Sequence, residues 1–423
     1  MTKVAVVGLG KIGLPLAALY AGKGMQVTGC DINPAVVEAV NRGDSPVQGE
    51  PGLAEAVRST RDAGRLSATA DTTAAVAESD VVVVMVRVGI DASGHADYHH
   101  LDPAATAIGR GLKKGTLVIL ESTVPVGATR GRFAKLLQGA SGLNQGDFRV
   151  AYSPERVSSG SVFRDLATYP KLVGGIDAAS GEAAAAFYRA VLDAPVTLLA
   201  DAETAEFAKL AESIYRDVNI ALANELARAA EQLGVSYDAA AAAGNSQPYS
   251  HLHAPGLGVG GHCIPVYPYF LTRAVDAPLI ELSREINDSM AEHGVERLEA
   301  ALEGGLAGKT VLVLGLAYRG GVKEAELSSA LLVAEALRHK GANVLVHDPL
   351  FTPDEIAALG LTASVLPPRA DIDAMVLQAG HREYASLDFA ALKGCRAVLD
   401  GRGFFEASKA EAAGLRYVAI GRP

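Results

Sequence analysis

A glycine turn close to the N-terminus restricts the fold of this chain more than any other feature. Gly8, Gly10 and Gly13 match the pattern G-x-G-x-x-G, between an apolar run at residues 4–7 and a helical pattern at residues 13–24. The first glycine permits a tight turn, the second lets a pyrophosphate approach the backbone, and the third lets the helix pack closely on the strand. The phosphate charge then lies at the positive end of the helix. The spacing predicts a dinucleotide-binding unit.

The residue that ends the second predicted strand indicates which dinucleotide binds. Residues 26–30 form an apolar run, and Asp31 follows it, 21 residues after Gly10. A carboxylate in this position accepts hydrogen bonds from a ribose diol and repels a 2′-phosphate, so NAD is favoured over NADP. The predicted cofactor-binding residues of this segment are Gly8, Gly10, Lys11, Ile12, Gly13 and Asp31.

Apolar runs that alternate with helical patterns indicate a parallel sheet covered by helices on both faces. The runs lie at residues 4–7, 26–30, 81–86 and 116–120, and again at residues 310–314 and 343–347, with a helical pattern at residues 328–341 between the last two. Residues 201–234 are rich in Ala and Leu with apolar positions at helical spacing, which predicts one long helix.

We therefore predict an α/β fold in which two doubly wound, Rossmann-like parallel-sheet domains are joined by a central long-helix domain. The predicted domains are residues 1–200, 201–300 and 301–423. With 423 residues, of which 49% are apolar and 20% charged, each domain is able to bury a core of its own.

Charge and hydropathy exclude two classes of partner. The chain has 38 Lys+Arg against 48 Asp+Glu, a formal charge of -10, and no basic tract, so a nucleic-acid partner is not expected. The apolar stretches fall short of the roughly 18 residues that a membrane span needs. The N-terminus reads as a strand and not as a signal peptide. We expect a soluble cytoplasmic protein without a membrane partner.

The three cysteines differ in their sequence context. Three are too few for a disulfide framework. Cys30 lies inside an apolar strand and Cys395 precedes another apolar run, so both are expected to be small core residues. Cys263 instead follows a run of glycines and His262, where neighbouring cations could hold it as a thiolate. We predict Cys263 to be a nucleophile.

Histidine spacing gives no support for a metal site. His251, His253 and His262 lack a tight ligand spacing, and the pair His99 and His100 has no cysteine partner nearby. No metal is predicted.

Taken together, these motifs resemble the nucleotide-sugar 6-dehydrogenases of the UDP-glucose/GDP-mannose dehydrogenase family over essentially the whole chain. The further matching segments are residues 31–34, 45–46, 50–53, 121–127, 153–157, 208–210, 216–226 and 258–265. His262 before the cysteine is similar to the branch that acts on UDP-N-acetylhexosamines such as UDP-ManNAc or UDP-GlcNAc.

The resemblance implies a four-electron oxidation of the sugar C6 alcohol to a carboxylate with two NAD, as in uronic acid and polysaccharide biosynthesis. The first hydride leaves an aldehyde, which has no hydride to give until a nucleophile adds to it. The Cys263 thiolate would form a thiohemiacetal, which gives the second hydride and becomes a thioester that water cleaves.

The resemblance also implies roles for particular residues. The catalytic residues would be Cys263, Lys209, Glu155, Thr123 and Ser213, with Lys209 as a fixed positive charge for the oxyanion and Glu155 and Thr123 ordering the hydrolytic water. Thr123 would also contact NAD. The substrate-binding residues would be Glu155, Arg156, Lys209, Asn219, Gly260, His262 and Arg319. The three domains would bind NAD, dimerise and catalyse, and bind the nucleotide sugar, with a homodimer formed through the long helix.

The chain departs from the family pattern in several places. Ser213 replaces an Asn, and Tyr267 replaces an Asp that helps to activate the hydrolytic water. The unperturbed pKa of a tyrosine, near 10, makes it a poor base at neutral pH. Residues 315–326 keep the frame of a family element but change most of its polar residues, with Glu326 in place of an Arg, and residues 86–88 (Val-Arg-Val) replace a Thr-Pro.

Three hypotheses therefore remain. The first is the enzyme, acting on a UDP-N-acetylhexosamine or, as the alternative substrate, on a UDP- or dTDP-hexose such as glucose. The second is a catalytically impaired nucleotide-sugar-binding relative, suggested by Ser213 and Tyr267. The third is a two-electron beta-hydroxyacid dehydrogenase, which shares the first domain and the long helix but not the strand-and-helix pattern after residue 309.

Overall fold

The computed structural model describes residues 1–367, 371–392 and 394–423, which form two compact units. The first unit consists of Met1–Glu212 and Tyr269–Val275, and the second of Ser213–Pro268 and Asp276–Pro423. The boundary falls inside the long helix that the sequence predicts, which extends over Ala202–Leu233.

The first unit is built on a sheet of eight strands in the order β10-β9-β8-β7-β4-β1-β2-β3, with a separate hairpin of β5 and β6. The strands are β1 (Lys3–Val7), β2 (Gln26–Cys30), β3 (Leu66–Thr69), β4 (Val81–Val84), β5 (Gly89–Ile90), β6 (Ala96–Asp97), β7 (Leu117–Leu120), β8 (Arg149–Tyr152), β9 (Lys171–Gly175) and β10 (Val196–Leu198). β4 and β7 are buried along their whole length, as expected of central strands that helices cover on both faces.

The helices that precede the long helix connect these strands. They are α1 (Gly13–Gly22), α2 (Pro34–Arg42), α3 (Leu53–Asp62), α4 (Thr72–Ala77), α5 (Leu101–Gly111), α6 (Ala134–Ser141), α7 (Val162–Thr168) and α8 (Ala178–Val191), and a π-helical turn at Thr129–Phe133 precedes α6. Asn33 caps α2, with Pro34 as the first helical residue.

One pairing in this sheet differs from the expected all-parallel arrangement. β8 and β9 pair antiparallel, with Ala151 opposite Gly175, while the other neighbouring strands of the sheet run parallel. The predicted run at residues 81–86 is also shorter, because the strand ends at Val84.

The second unit contains a parallel sheet of six strands in the order β13-β12-β11-β14-β15-β16. These strands are β11 (Thr310–Leu314), β12 (Asn343–His347), β13 (Thr362–Ala363), β14 (Ala374–Leu377), β15 (Ala397–Asp400) and β16 (Arg416–Ala419). Numbered within this unit the order is 3-2-1-4-5-6, the order of a Rossmann sheet. The order β3-β2-β1-β4-β7-β8 repeats it in the first unit. The predicted α/β fold with two Rossmann-like sheets is confirmed.

The remaining helices follow in chain order. They are α9 (Ala202–Leu233), α10 (Tyr237–Gly244), α11 (Tyr267–Thr272), α12 (Pro278–Ala300), α13 (Ser329–His339), α14 (Pro353–Ala358) and α15 (Ala407–Ala412), with 3-10 turns at Arg382–Ser386 and Phe389–Ala391. In the second unit, Ala223, Ala227 and Ala230 of α9 pack into the same core as α12 and the six-stranded sheet. Within the described part of the chain, no helix has both the length and the hydropathy to cross a membrane.

Candidate active site

The glycine turn of the first unit has the geometry of a dinucleotide cradle. A Cβ added at Gly13 would lie 1.8 Å from the Gly8 carbonyl oxygen, and one at Gly8, where φ is +95°, would lie 2.3 Å from the Met85 oxygen. A Cβ at Gly10 would meet nothing within 4 Å. The first and third glycines therefore let the turn close, while the second leaves room for a ligand.

Asp31 supports this turn from the end of β2. Its Oδ2 accepts a hydrogen bond from the Leu9 N–H over 2.9 Å, and its Oδ1 accepts one from the Asn33 N–H over 2.9 Å. Lys11 is exposed and Ile12 is half-buried at the start of α1, which begins without a capping side chain. Since the first N–H groups of a helix need an acceptor, this terminus suits the pyrophosphate of NAD, the cofactor that the residues fit.

The second unit contains an equivalent turn. Gly315, with φ at +93°, donates its N–H to the His347 oxygen over 2.8 Å, as Gly8 donates to the Cys30 oxygen over 2.8 Å. Asp348 then accepts from the Leu316 N–H over 2.8 Å, as Asp31 accepts from Leu9. Asp348 was not predicted as a site residue, although it follows a buried strand, the same signal that identified Asp31.

Glu155 belongs to a buried cluster of charges in the first unit. Lys171 Nζ lies 2.7 Å from Glu121 Oε2 and 3.0 Å from Glu155 Oε2, and all three side chains are buried. The Tyr188 hydroxyl donates to Glu121 Oε1 over 2.5 Å. Of these three residues only Glu155 was predicted from the sequence. Lys171, a charged residue at the start of an apolar strand, and Glu121, which follows such a strand, were not assigned a role.

The two glutamates of this cluster titrate in opposite directions. Burial raises the pKa of Glu121 to about 7, although Lys171 opposes the shift. Burial also acts to raise the pKa of Glu155, but Lys171 and the hydrogen bond with Glu121 outweigh it and hold that pKa below its ordinary value. Near neutral pH Glu155 is therefore the ionised partner, which is the state that a general base requires.

Lys209 and Glu155, both predicted from the sequence as catalytic residues, are in contact. The Lys209 ammonium, buried on α9, donates to the Glu155 carbonyl oxygen. Glu155 Oε1 accepts from the N–H groups of Arg156 over 2.6 Å and Val157 over 3.1 Å. Arg156 Nε donates to Glu212 Oε2 over 2.8 Å. Thr123 is half-buried in the loop after β7.

The loop that carries Cys263 lies against residues 318–328 of the same unit. A Cβ added at Gly260 would lie 2.8 Å from the Tyr318 Cβ and 2.9 Å from the Leu327 oxygen, and one at Gly261, with φ at +94°, would lie 3.3 Å from the Tyr318 ring. These two glycines therefore let the loop pack closely on this segment.

Cys263 and His262 stand at the surface of this packed loop. Cys263 is half-buried, and the His262 side chain is 45% exposed, with its Nδ1 2.5 Å from Glu324 Oε1. Hydrogen bonds with Cys263 and with Glu324 raise the pKa of His262 to about 10. The ring is therefore an imidazolium at neutral pH, beside the sulfur.

The other two cysteines are core residues, as predicted. Cys30 and Cys395 are both buried, and burial raises the pKa of the Cys30 thiol to about 12 and that of the Cys395 thiol to about 11. Neither thiol is an available nucleophile. The described residues also hold no group of three or more His, Cys, Asp or Glu side chains placed to bind a metal ion.

The remaining predicted site residues have partners within the second unit. Ser213 is fully buried and its Oγ accepts from Arg216 over 3.5 Å, while Asn219 Nδ2 donates to the Tyr215 oxygen over 2.7 Å. Arg319 is exposed and its Nε donates to the Tyr318 hydroxyl over 3.1 Å.

Two residues at which the chain departs from the family pattern are also in contact with neighbours. Tyr267 is buried, and its N–H donates to the Cys263 oxygen over 3.0 Å. Lys323 lies 2.6 Å from Glu355.

Comparison with known proteins identifies relatives over the whole length. Three domain models of the UDP-glucose/GDP-mannose dehydrogenase family match the chain: the NAD binding domain over residues 2–192, the central domain over residues 203–289 and the UDP binding domain over residues 312–407.

Individual relatives are similarly complete. A UDP-N-acetyl-D-mannosamine dehydrogenase from Pyrococcus horikoshii is 34% identical over 99% of each chain. The solved structure of a UDP-D-ManNAc dehydrogenase from the same organism superposes on this one with a TM-score of 0.91, covering 100% of this chain and 99% of that chain at 33% identity. An NDP-N-acetyl-D-galactosaminuronic acid dehydrogenase from Ralstonia nicotianae is 34% identical over 96% of this chain and 97% of its own length. The structure of a UDP-glucose dehydrogenase from Pyrobaculum islandicum has a TM-score of 0.89 at 31% identity, covering 100% of this chain and 98% of that chain.

Proposed function

This chain belongs to the UDP-glucose/GDP-mannose dehydrogenase family, and we propose that it oxidises the C6 alcohol of a UDP-N-acetylhexosamine to a carboxylate through a covalent intermediate on Cys263. It is an NAD-dependent nucleotide-sugar dehydrogenase, an oxidoreductase. The observation that carries the four-electron proposal is the environment of Cys263. Its side chain is half-buried and hydrogen-bonded to His262, whereas Cys30 and Cys395 are buried.

The names of the relatives support the substrate class. Two relatives at 34% identity are named for N-acetylated sugars, one for UDP-N-acetyl-D-mannosamine and the other for an NDP-N-acetyl-D-galactosaminuronic acid. The relative from Pyrobaculum islandicum favours UDP-glucose as the second candidate, since it has nearly the same fold. A dTDP-hexose remains the other alternative from the sequence.

In the proposed reaction, NAD supplies the hydride acceptor when it is bound at Gly8, Gly10 and Gly13. After the first hydride has left C6, the Cys263 thiolate adds to the aldehyde: a sulfur–carbon bond forms and the carbonyl electrons move to oxygen. Lys209 supplies positive charge for that oxyanion, an interaction whose loss costs roughly 3–4 kcal/mol in other enzymes. Transfer of the second hydride from C6 to a second NAD turns the adduct into a thioester.

Hydrolysis of the thioester needs a base. Glu155 has the protonation state for it, since its pKa lies below the ordinary value. In the proposed step it takes a proton from water while the water oxygen bonds to the carbonyl carbon, and the Cys263 thiolate leaves with the electrons of the sulfur–carbon bond. Thr123 is proposed to order this water. Ser213 keeps its proposed catalytic role. The proposed substrate-binding residues are Glu155, Arg156, Lys209, Asn219, Gly260, His262 and Arg319.

A homodimer through α9 is also part of the proposal. Tyr215, Leu222 and Leu226 lie seven and four residues apart on α9, so they share one face, and they are 53%, 45% and 39% exposed. Ala223, Ala227 and Ala230, which lie to one side of this stripe around the helix, are already buried in the core of the second unit. An exposed apolar stripe of this kind supports an interface with a second copy. The division into domains 1–200, 201–300 and 301–423 is likewise a proposal, which the family-model boundaries support.

The decisive experiment measures NADH formed per sugar over a panel of UDP-, dTDP- and GDP-sugars. We expect two NADH for each UDP-N-acetylhexosamine oxidised, and a covalent ester or a stalled reaction in Cys263→Ser. The buried Cys30→Ser serves as the matched control. One NADH per sugar, or full turnover of Cys263→Ser, would contradict the cysteine chemistry. A preference for UDP-glucose would move the substrate to the second candidate.

A further inference from the structure

A chain of three side chains connects Cys263 to a carboxylate that lies far from it in sequence. The His262 side chain is hydrogen-bonded to the Cys263 side chain, and its Nδ1 lies 2.5 Å from Oε1 of Glu324, 62 residues further along the chain. The Glu324 side chain is only 10% exposed. A nucleophile, a base and a third group that orients the base are the components of an activated nucleophile in many enzymes.

The local fold holds Glu324 in place by backbone contacts. The Tyr318 N–H donates to the Glu324 oxygen over 3.0 Å, and the Glu324 N–H donates to the Val322 oxygen over 3.1 Å. Residues 318–324 therefore form a closed turn, and Tyr318 in that turn packs against Gly261. The packing of Tyr318 against Gly261 thus also places Glu324 within hydrogen-bond distance of His262.

We propose that His262, held by Glu324, takes the proton of the Cys263 thiol and keeps the sulfur as a thiolate. In this step the neutral ring becomes the imidazolium: the sulfur–hydrogen bond breaks, a ring nitrogen–hydrogen bond forms, and the electron pair stays on sulfur. His262 is then a catalytic residue because it touches the reacting atom, and Glu324 is a positioning residue because it acts through His262. The inference rests on the proposed role of Cys263 as the nucleophile.

Electrostatics explain why the pair favours the charged forms. The titratable groups that act on His262 are Cys263 and Glu324, and both favour the imidazolium. The phenol of Tyr318 packs on the adjacent Gly261 and accepts from Arg319 Nε over 3.1 Å, which adds a second cation to the same segment. A thiolate beside a cation is stabilised, and a cysteine paired with a protonated histidine ionises well below its ordinary pKa of about 8.5.

The test is the pH dependence of Cys263 alkylation by iodoacetamide in the full-length protein, without NAD or sugar, with the modified cysteine assigned by peptide mass spectrometry. Wild type is compared with His262→Ala, His262→Ser and Glu324→Gln. His251→Ala, an exposed histidine on the same loop, is the control. Thermal unfolding identifies any variant that does not fold, and the second His262 variant then carries the test.

We expect wild type and His251→Ala to react almost as fast at pH 6.5 as at pH 8.5. An ordinary thiol is about 1% ionised two pH units below its pKa, so the His262 variants should lose about 10- to 100-fold in rate at pH 6.5. Glu324→Gln should lose about 3- to 10-fold. Identical pH profiles in wild type and the His262 variants would overturn the proposal. Since no substrate is present, a wrong sugar or reaction in the proposed function would leave this measurement unchanged.

Discussion

Lys171 Nζ lies 3.0 Å from Oε2 of Glu155 in the buried interior of the first unit. The same ammonium lies 2.7 Å from Glu121, so one cation serves two carboxyl groups. Because Glu121 titrates at about 7 and Glu155 below its ordinary value, the proton of the cluster resides on Glu121 and the charge on Glu155. Lys171 lowers the pKa of both glutamates, and the N–H groups of Arg156 and Val157 further stabilise the ionised form of Glu155.

Lys171→Met should impair thioester hydrolysis more than the first hydride transfer. Without the cation, the burial of Glu155 raises its pKa, so the carboxyl group is protonated at neutral pH and takes no proton from water. Loss of a positioned base costs 10²- to 10⁴-fold, and we expect kcat to fall about 100-fold with a retained initial burst of NADH. Stopped-flow NADH absorbance against pH is the measurement.

The direction of the pH effect separates this role from a loss of folding. A base with a raised pKa regains its charge as the pH increases, so activity of Lys171→Met should recover toward pH 9. Lys23→Met, which removes a partly exposed lysine paired with Asp193, is the control and should keep the wild-type profile. A uniform loss of activity at every pH would count against the assignment.

Alanine substitutions in the first glycine turn should separate folding from cofactor binding. At Gly13 the new methyl would collide with the Gly8 carbonyl oxygen, so Gly13→Ala should lose about 1–3 kcal/mol of stability together with NAD binding. At Gly10 the methyl would meet no protein atom within 4 Å. Gly10→Ala should therefore unfold at the wild-type temperature and bind NAD at least about 10-fold more weakly, because the methyl occupies the path of the pyrophosphate.

Thermal unfolding and calorimetric titration with NAD measure the two effects independently. If Gly10→Ala bound NAD as tightly as wild type, the pyrophosphate would have to approach another part of the turn.

The elements that the sequence predicts well are those fixed by a local pattern. The strands Gln26–Cys30, Thr310–Leu314 and Asn343–His347 are found at the predicted residues, and the long helix is within a residue of its predicted ends. Each combines a continuous hydrophobic pattern with a clear start and stop signal, which are properties of the segment itself.

Features that depend on a distant partner were not predictable in the same way. Lys171 lies 50 residues from Glu121 and 16 from Glu155, and His262 lies 62 residues from Glu324. The antiparallel pairing of β8 with β9 depends on the path of the chain between them. No periodicity in a single sequence encodes such contacts, although a charged residue at the edge of an apolar strand marks where one is required.

Glu206 should make the protein less stable as the pH rises. Its carboxylate is fully buried and accepts the N–H groups of Gly127 over 2.5 Å and Thr129 over 2.8 Å, yet burial raises its pKa to about 7. The folded state then binds more protons than the unfolded state between the ordinary pKa of about 4.5 and 7, so the free energy of unfolding decreases through that window. Over the whole window, this pKa shift lowers the free energy of unfolding by about 3 kcal/mol.

Urea unfolding of wild type and Glu206→Gln at pH 5, 6, 7 and 8 checks this slope. The amide of the variant does not titrate, so its free energy of unfolding lacks this pH dependence. The free energy of unfolding of wild type relative to that of the variant should therefore decrease as the pH rises. Glu182→Gln, on the exposed side of α8, should follow wild type throughout. A pH-independent difference would mean that Glu206 acts only through its hydrogen bonds.

Charge introduced into the exposed stripe of α9 should separate the proposed dimer. Leu222 and Leu226 lie one helical turn apart and are 45% and 39% exposed. In the double variant Leu222→Glu/Leu226→Glu, a second copy that packs on this stripe would have to bury two carboxylates, which is energetically costly. We expect this variant to sediment as a monomer at concentrations where wild type sediments as a dimer. Leu359→Glu, at an equally exposed leucine just after α14, is the matched control and should stay dimeric. If the α9 variant remained a dimer, the interface would have to lie elsewhere on the chain, and the stripe would need another occupant.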